Sequence, residues 1–375
     1  MSDNFNGSIA QVNVQFPIET VIEPLAGENY SKAIIFMPLS KASEYLPGVD
    51  NAIAGTVTEL DSSNYGTITG GLLKTWLVPF FTAAQAANVG VAIYDDTEGA
   101  TSNLLASIYE KFKMYAYFKF GITDSDGYNS LQTQLLSLCA ADTLYSRLWI
   151  GTSDELVLSK TSDLVETLNN VGSAYRLIYN PDATINAALA QLGKTLSVAN
   201  DTGTPVGNSV DMVAFNTIGA SGADDEDGNP TNLSATQKAA LDDQKIGYNT
   251  YVGDGTENVV TEGSLYANGD SVGAEWVKAY ITYMCKVKTA NMMSKMNKFR
   301  SNATYQAILL ILQDIVKGFT DMGRLDNFVL TAPVFADLPT SGDTITVANA
   351  WQADYIDNVR AVTVYGTLYL VQPSK

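Results

Sequence analysis

Between residues 32 and 198 short apolar segments take turns with helical ones, and that alternation limits the fold more than any other feature of the chain. Residues 32–37, 89–94, 115–120, 147–150 and 175–179 are rich in β-branched and aromatic side chains and read as strands. Helices are expected within 68–87 and over 103–113, 131–145, 163–170 and 183–198, the last with Pro181 near its start. A helix between two strands carries the chain back to the end it left, so such strands run parallel. The expected class is α/β (α+β), with mixed sheets and flanking helices.

Both ends of the chain read as long strands of period two. Val12, Val14, Phe16 and Ile18 fall on one face of the first. Val362, Val364, Leu368 and Leu370 share a face of the second, with Thr363, Tyr365, Thr367 and Tyr369 on the other. A terminal strand has one free end, so it can join a neighbouring subunit's sheet as readily as its own. Two such arms point to subunits that exchange strands and weave a lattice. Pro17 lacks a donor and should sit on an outward edge.

Residues 202–231 interrupt the α/β rhythm. They are rich in Gly, Asn and Asp and end in Asp224-Asp225-Glu226-Asp227-Gly228, which reads as an exposed excursion with one apolar patch at 212–215. A strand pair follows, 246–252 and 259–265, and then a long helical segment over 274–299 with a break expected near Asn291. Asn302 is placed as the N-cap of a further helix in which Ile308, Leu312, Ile315 and Phe319 form the apolar stripe and Gly323 closes the end. Pro333 and Pro339 mark loops before two last strands, 344–348 and 359–371. The chain thus divides into an arm (1–24), an α/β domain (25–245), a second domain (246–345) and a C-terminal arm (346–375).

Composition removes several functions. The 375 residues include 22 basic and 40 acidic side chains, a net charge of −18 that argues against nucleic acid as a partner. There is no histidine, which takes away the usual general base and the commonest zinc ligand. Cys139 and Cys285 lie far apart in apolar helical stretches and read as reduced core thiols. The run 307–312 is the longest apolar one, far short of the roughly 18 residues a membrane span needs, so no membrane insertion is expected. The first residues carry neither a basic nor an apolar leader region, and no secretory signal is read there.

The motifs that resemble chemical sites fail in detail. Gly193-Lys194-Thr195 resembles the end of a phosphate loop, but Ala188 stands where its first glycine belongs and the stretch lies inside an expected helix. Asp225, Asp227 and Gly228 match three positions of a calcium loop, whereas Ala223 and Ser234 occupy its first and twelfth; Asp124-Ser125-Asp126-Gly127 fails in the same way. Solvated turns are the better reading. No nucleophile elbow or dinucleotide fingerprint occurs. No catalytic residue, metal ligand or cofactor is expected, and the chain is not read as an enzyme.

One segment reverses the sign of the chain. Between Trp276 and Arg300 stand Lys278, Lys286, Lys288, Lys295, Lys298 and Arg300, with no acidic residue among them. Such a field is either an ordinary solvated helix surface or a basic face turned to an acidic protein, where it would fix register and speed docking.

The order of elements in the last third resembles the conserved domain of contractile tail sheath proteins, found in phages with contractile tails and in bacteriocin and secretion-system sheaths. A tryptophan-led helix (Ala274-Glu275-Trp276-Val277-Lys278) is followed by a polar stretch (298–305) and a second helix (306–318). A glycine turn (Met322-Gly323-Arg324-Leu325), a strand with Ala332-Pro333-Val334 and a final strand through Asn358 to Val364 complete it. The resemblance covers about a third of the chain, 246–371; the first two thirds agree only in layout. It lacks the family's proline-glycine motifs near the second helix. The resemblance implies a structural subunit that stacks in rings around a tail tube and contracts from a metastable extended state, driving the tube through a cell envelope. It implies an outer domain at 25–245, an inner tube-facing domain at 246–345, and arms exchanged with neighbouring subunits. The implied partners are other sheath subunits, the tail tube protein, the baseplate and the tail terminator. The implied place is a virion tail assembled in the host bacterial cytoplasm. Two rivals stay open on the sequence alone: another lattice former (tail tube, capsid accessory or surface layer), and an α/β ligand-binding protein or enzyme.

Overall fold

Every second side chain of a strand faces the same layer, so a sheet covered on both faces must be apolar at consecutive positions. Strand Arg147–Thr152 meets that condition: Leu148 and Ile150 enter one core while Trp149 enters the other. The computed structural model of the chain describes residues 14–15, 33–38, 57–61, 63, 65–68, 71–83, 89–94, 118–121, 130–141, 147–197, 218–252, 259–263, 265–295, 302–321, 323–337, 346–347 and 351–355.

In chain order these comprise β1 (Val14–Gln15), β2 (Ala33–Pro38), β3 (Val57–Leu60), α1 (Leu72–Ala83), β4 (Val89–Tyr94), β5 (Phe118–Gly121) and α2 (Ser130–Ala141). Then come β6 (Arg147–Thr152), α3 (Asp163–Val171), β7 (Tyr175–Tyr179), α4 (Ala187–Ser197), α5 (Ala235–Asp243), β8 (Tyr248–Tyr251) and β9 (Val259–Glu262). The last are α6 (Val272–Lys295), α7 (Asn302–Asp321), β10 (Leu325–Leu330), β11 (Thr346–Val347) and β12 (Trp351–Tyr355).

Six strands form one sheet in the order β3-β4-β2-β5-β6-β7. Only β3 runs antiparallel to its neighbour, so the sheet is mixed and mainly parallel, as the alternation requires. Beyond β7 the chain returns at Gly247, which pairs in parallel with Ile178 and leads into the β8–β9 hairpin. One face of the sheet is covered by α1 and α4, through Leu73, Trp76, Leu77, Phe80, Leu189 and Leu192. The other is covered by α2, α3 and α5, through Leu135, Leu136, Leu164, Leu168 and Leu241. Each such leucine contributes roughly 1.5–3 kcal/mol by leaving water. The first core does not stop at residue 245: it continues through Tyr266, Val277, Ile281, Tyr305, Leu312 and Phe319 to Leu325 and Trp351.

Several expectations are corrected. Helix α6 runs through Asn291 without a break. In α7 the buried seam is Tyr305, Leu309, Leu312, Val316 and Phe319 with Ile315, while Ile308 is only half-buried. The apolar run 307–312 offers too many candidates for spacing alone to choose among them. Gly323 does close α7, at φ +69°, with the Arg324 N–H donating to the Phe319 carbonyl at 2.9 Å. The excursion is exposed at Asp224 to Asn229, but Ile218, Ala220, Ser221 and Gly222 are buried. Helix α5 had no counterpart in the pattern because only Ala240 and Leu241 are buried. Its capping box, Ser234 with Gln237, was the legible signal. The expected helix at 103–113, the apolar patch at 212–215 and the strand at 359–371 lie outside the described residues.

Candidate assembly surfaces

Of the N-terminal arm, Val14 lies in β1, which pairs antiparallel with β11 of the same chain, Val14 opposite Val347 and Gln15 opposite Thr346. Val12, Phe16, Ile18, Val362, Val364, Leu368 and Leu370 lie outside the described residues.

The strands β10 and β12 form a separate two-stranded sheet at the end of the core. Leu325 and Trp351 are buried and anchor it, whereas Val329, Leu330 and, just beyond, Val334 are exposed. Asn327, at φ +50°, makes an irregularity between Asp326 and Val329 and its amide donates to Asp354 at 2.8 Å. Such a bulge twists a strand locally and bends it away from a flat ladder. Among the described residues each of these strands pairs on one side only; β10 exposes the apolar Val329 and Leu330, whereas the exposed side chains of β12 are the polar Gln352 and Asp354.

The basic residues Lys278, Lys286, Lys288 and Lys295 all belong to α6. Lys288 is half-exposed and pairs with Asp314 of α7 at 3.3 Å, which partly neutralises it. The side chains of Lys278, Lys286 and Lys295 are not among those described, and Lys298 and Arg300 lie outside the described residues. Over 276–325 eight basic residues face only two acidic ones, Asp314 and Asp321, in a chain at −18. The whole α6–α7 stretch, Glu275 included, is thus net basic by sequence, opposite in sign to the chain.

Behind α6 lies a cluster that the sequence reading missed. Arg147 of β6 and Glu275, in the first turn of α6, form a buried ion pair, with the Glu275 side chain 2% exposed. The Arg147 guanidinium also lies 5.6 Å from the centre of the Tyr266 ring. Arg176 of β7, fully buried, donates to the Gly263 carbonyl at 2.6 Å, the Leu265 carbonyl at 3.2 Å and Gln191 Oε1 at 2.9 Å. It stacks 5.2 Å over Trp149, and Trp149 meets Tyr266 edge to face. Gln191 in turn donates to Asn249, whose N–H donates to Ser221 Oγ; that hydroxyl donates to the Tyr179 carbonyl. The signal was present: an arginine inside a strand buried on both faces must find acceptors there or the fold fails. Burial pushes the Tyr266 phenol up to about 12 and the Cys285 thiol of α6 up to about 12.

The rejected motifs are explained by packing. Gly193 lies within α4, where an added Cβ would come 2.7 Å from the Phe80 carbonyl oxygen of α1; the glycine permits a close helix crossing. The Asp225 carboxylate accepts from the Asn229 and Asp227 N–H groups and is held below the usual carboxylate range chiefly by Asn229. It organises a turn. Among the described residues no three His, Cys, Asp or Glu side chains gather to hold a metal, and no described helix is long and apolar enough to cross a membrane.

No protein-family model and no curated protein sequence matches this chain. Solved structures do. The anti-feeding prophage helical sheath in its contracted state matches 94% of this chain and 98% of its own, with TM-score 0.65 and 12% identity. A chain of the anti-feeding prophage baseplate, six-fold symmetrised, matches 95% and 98%, again with TM-score 0.65 and 12% identity. The contracted sheath complex of an extracellular contractile injection system, PVC, matches 95% and 97%, with TM-score 0.63 and 10% identity. The likeness runs the length of both molecules, and the fold of this chain is that of these contractile sheath structures.

Proposed function

We propose that this chain is the structural subunit of a contractile tail sheath, a cylinder of stacked rings that surrounds a tail tube and shortens to drive it through a cell envelope. The observation that carries the reading is the end-to-end match to a contracted helical sheath, covering 94% of this chain and 98% of the other. The element order that resembles the sheath domain in the sequence supports it independently. A protein with this role acts by packing, without catalysis or cofactor.

The partners follow from the role: neighbouring copies of the chain, a tail tube protein, and the baseplate and terminator at the two ends. The particle is a phage tail or an injection particle of the kind the matched structures represent, built in the bacterial cytoplasm before release. Residues 25–245 form the outer domain and 246–345 the domain nearer the tube.

Strand exchange is the proposed link between subunits. In the single chain β1 closes on β11; the same antiparallel register can be made with a neighbour's arm, as in domain swapping. The exposed edges of β10 and β12 suit the addition of further strands carrying Val12, Phe16 and Ile18 or Val362, Val364, Leu368 and Leu370. The basic residues Lys278, Lys286, Lys288, Lys295, Lys298 and Arg300 are proposed to face an acidic tube.

Negative-stain microscopy of the purified protein tests the reading: hollow cylinders are expected, and a monodisperse monomer at high concentration would refute it. Charge reversal at Lys286, Lys288 and Lys295 should give sheaths that contract early or assemble without a tube. Normal extended particles from that variant would remove the tube contact from the proposal.

A further inference from the structure

We propose that Arg147 and Glu275 are positioning residues that set the angle at which α6 leaves the sheet, and thereby the geometry of the assembled cylinder. This inference rests on the sheath reading.

Helix α6 is seated by Val277, Ile281 and Cys285, buried residues four apart. Apolar contact is non-directional and lets a helix roll or tilt on its seat. The grip on the start of α6 is of another kind. Arg147 holds the Glu275 carboxylate, lies over the Tyr266 ring, and is backed by Arg176 on the carbonyls of Gly263 and Leu265. All four contact points precede or enter the first turn of α6, and both arginines come from adjacent strands of the large sheet. Charged hydrogen bonds of this sort are short and directional.

Stability alone does not account for such a pair. Two buried charges can be replaced by well-packed apolar residues at little cost or with gain, so an ion pair in this place points to geometry. The lever is long. Twenty residues separate Glu275 from Lys295, about 30 Å of helix at 1.5 Å per residue, so a tilt of about 5° at the grip moves the far end by roughly 3 Å. A displacement of that size is enough to take interface side chains out of register.

The test compares the full-length wild type with Arg147→Met/Glu275→Leu, which keeps a filled apolar site, and with Glu275→Gln, which keeps a hydrogen-bond acceptor without the charge. Unfolding midpoints and the helical rise, twist and diameter of the cylinders are measured for each. The expected result is a double variant as stable as wild type whose cylinders differ in helical parameters, with Glu275→Gln in between. A double variant of wild-type stability with unchanged cylinders overturns the proposal. If the double variant does not fold, Glu275→Gln decides: unchanged parameters overturn the proposal and altered ones support it.

Failure of the wild type to form any cylinder would sink the sheath reading first. The positioning role is then read in the isolated protein from spin labels at Asn291→Cys on α6 and Glu166→Cys on α3, both exposed sites, while the native Cys139 and Cys285 are buried. A shift or broadening of the distance by about 2–3 Å in the double variant, the displacement a tilt of about 5° gives, supports the role, and an unmoved distribution overturns it.

Discussion

Replacing glycine by alanine inside a helix normally stabilises it by about 0.8–1.0 kcal/mol, because alanine has less backbone freedom to lose. Two glycines in this fold should respond with opposite signs. Gly318, on the exposed face of α7, has nothing within 4 Å of the position a Cβ would take, so Gly318→Ala should give nearly the full gain. Gly193 of α4 is buried, and its Cβ would meet the Phe80 carbonyl oxygen at 2.7 Å and Phe80 Cα at 2.8 Å. Those are backbone atoms of α1, so relief requires one helix to move against the other. Overpacking of a filled core costs about 1–3 kcal/mol, which cancels or exceeds the propensity gain. Gly193→Ala should therefore lower the urea midpoint, or at best leave it, while Gly318→Ala raises it. Circular dichroism of both variants at low protein concentration, where assembly does not contribute, gives the comparison. A Gly193→Ala midpoint raised as far as that of Gly318→Ala would refute the close helix crossing and reopen the question of why glycine precedes Lys194 and Thr195.

Ser234→Ala removes the capping box at the start of α5 and should destabilise that helix by about 1 kcal/mol, seen as faster hydrogen exchange over Ala235–Asp243 than elsewhere; uniform exchange changes would contradict it. Burial raises Tyr175, Tyr179 and Tyr266 to about 12, and Cys285 from 9.0 to about 12. Groups whose folded pKa lies above the unfolded value give stability that is complete below the unfolded pKa and lost as pH rises through the folded one. The unfolding midpoint should therefore fall from pH near 9 or 10 up to about 12, with phenolate absorbance rising in the same transition; early, gradual phenolate formation would show that these rings are accessible. Without histidine, assembly should hardly change across the window of about pH 5–8 in which that side chain titrates, and a sharp assembly transition there, followed by light scattering, would require a strongly perturbed carboxylate.

Five of the six strands of the large sheet were legible because both its faces are covered, whereas the antiparallel edge strand β3 (Val57–Leu60) was not read from the sequence. A strand such as Tyr175–Tyr179, buried at all five positions, leaves a short apolar and aromatic segment in the sequence. Helix α5 was missed for the opposite reason, since a helix held by two buried side chains and a cap leaves little period. In the seam of α7 Leu312, Ile315 and Phe319 were placed correctly and only Ile308 stood where Leu309 belongs, because six apolar residues in a row carry no phase. The cluster around Arg147 and Arg176 was half visible: an arginine in a buried strand announces that acceptors exist. That the acceptors are Glu275 and the carbonyls of Gly263 and Leu265, about 90 to 130 residues later, is information only the fold contains. The terminal arms were read from alternation alone, and of them β1 and its pairing with β11 are described.

Relative strengths decide where a sheath of such subunits can rearrange. Separating α6 from the large sheet means leaving Arg147 or Glu275 buried without the other, a cost of about 3–5 kcal/mol, and dividing a core that runs from α1 to Trp351. Each main-chain hydrogen bond of an added strand contributes only about 0.5–1.5 kcal/mol, and an exposed pair such as Lys288 with Asp314 at most about 1. Strand pairs can pivot without breaking, and exposed ion pairs can exchange partners at small cost. Among the described residues the grip on α6 and the shared core are the costlier contacts to break. In the proposed sheath, contraction is therefore resolved between subunits, along the arms and the charged helix faces, while the grip on α6 keeps each subunit one lever.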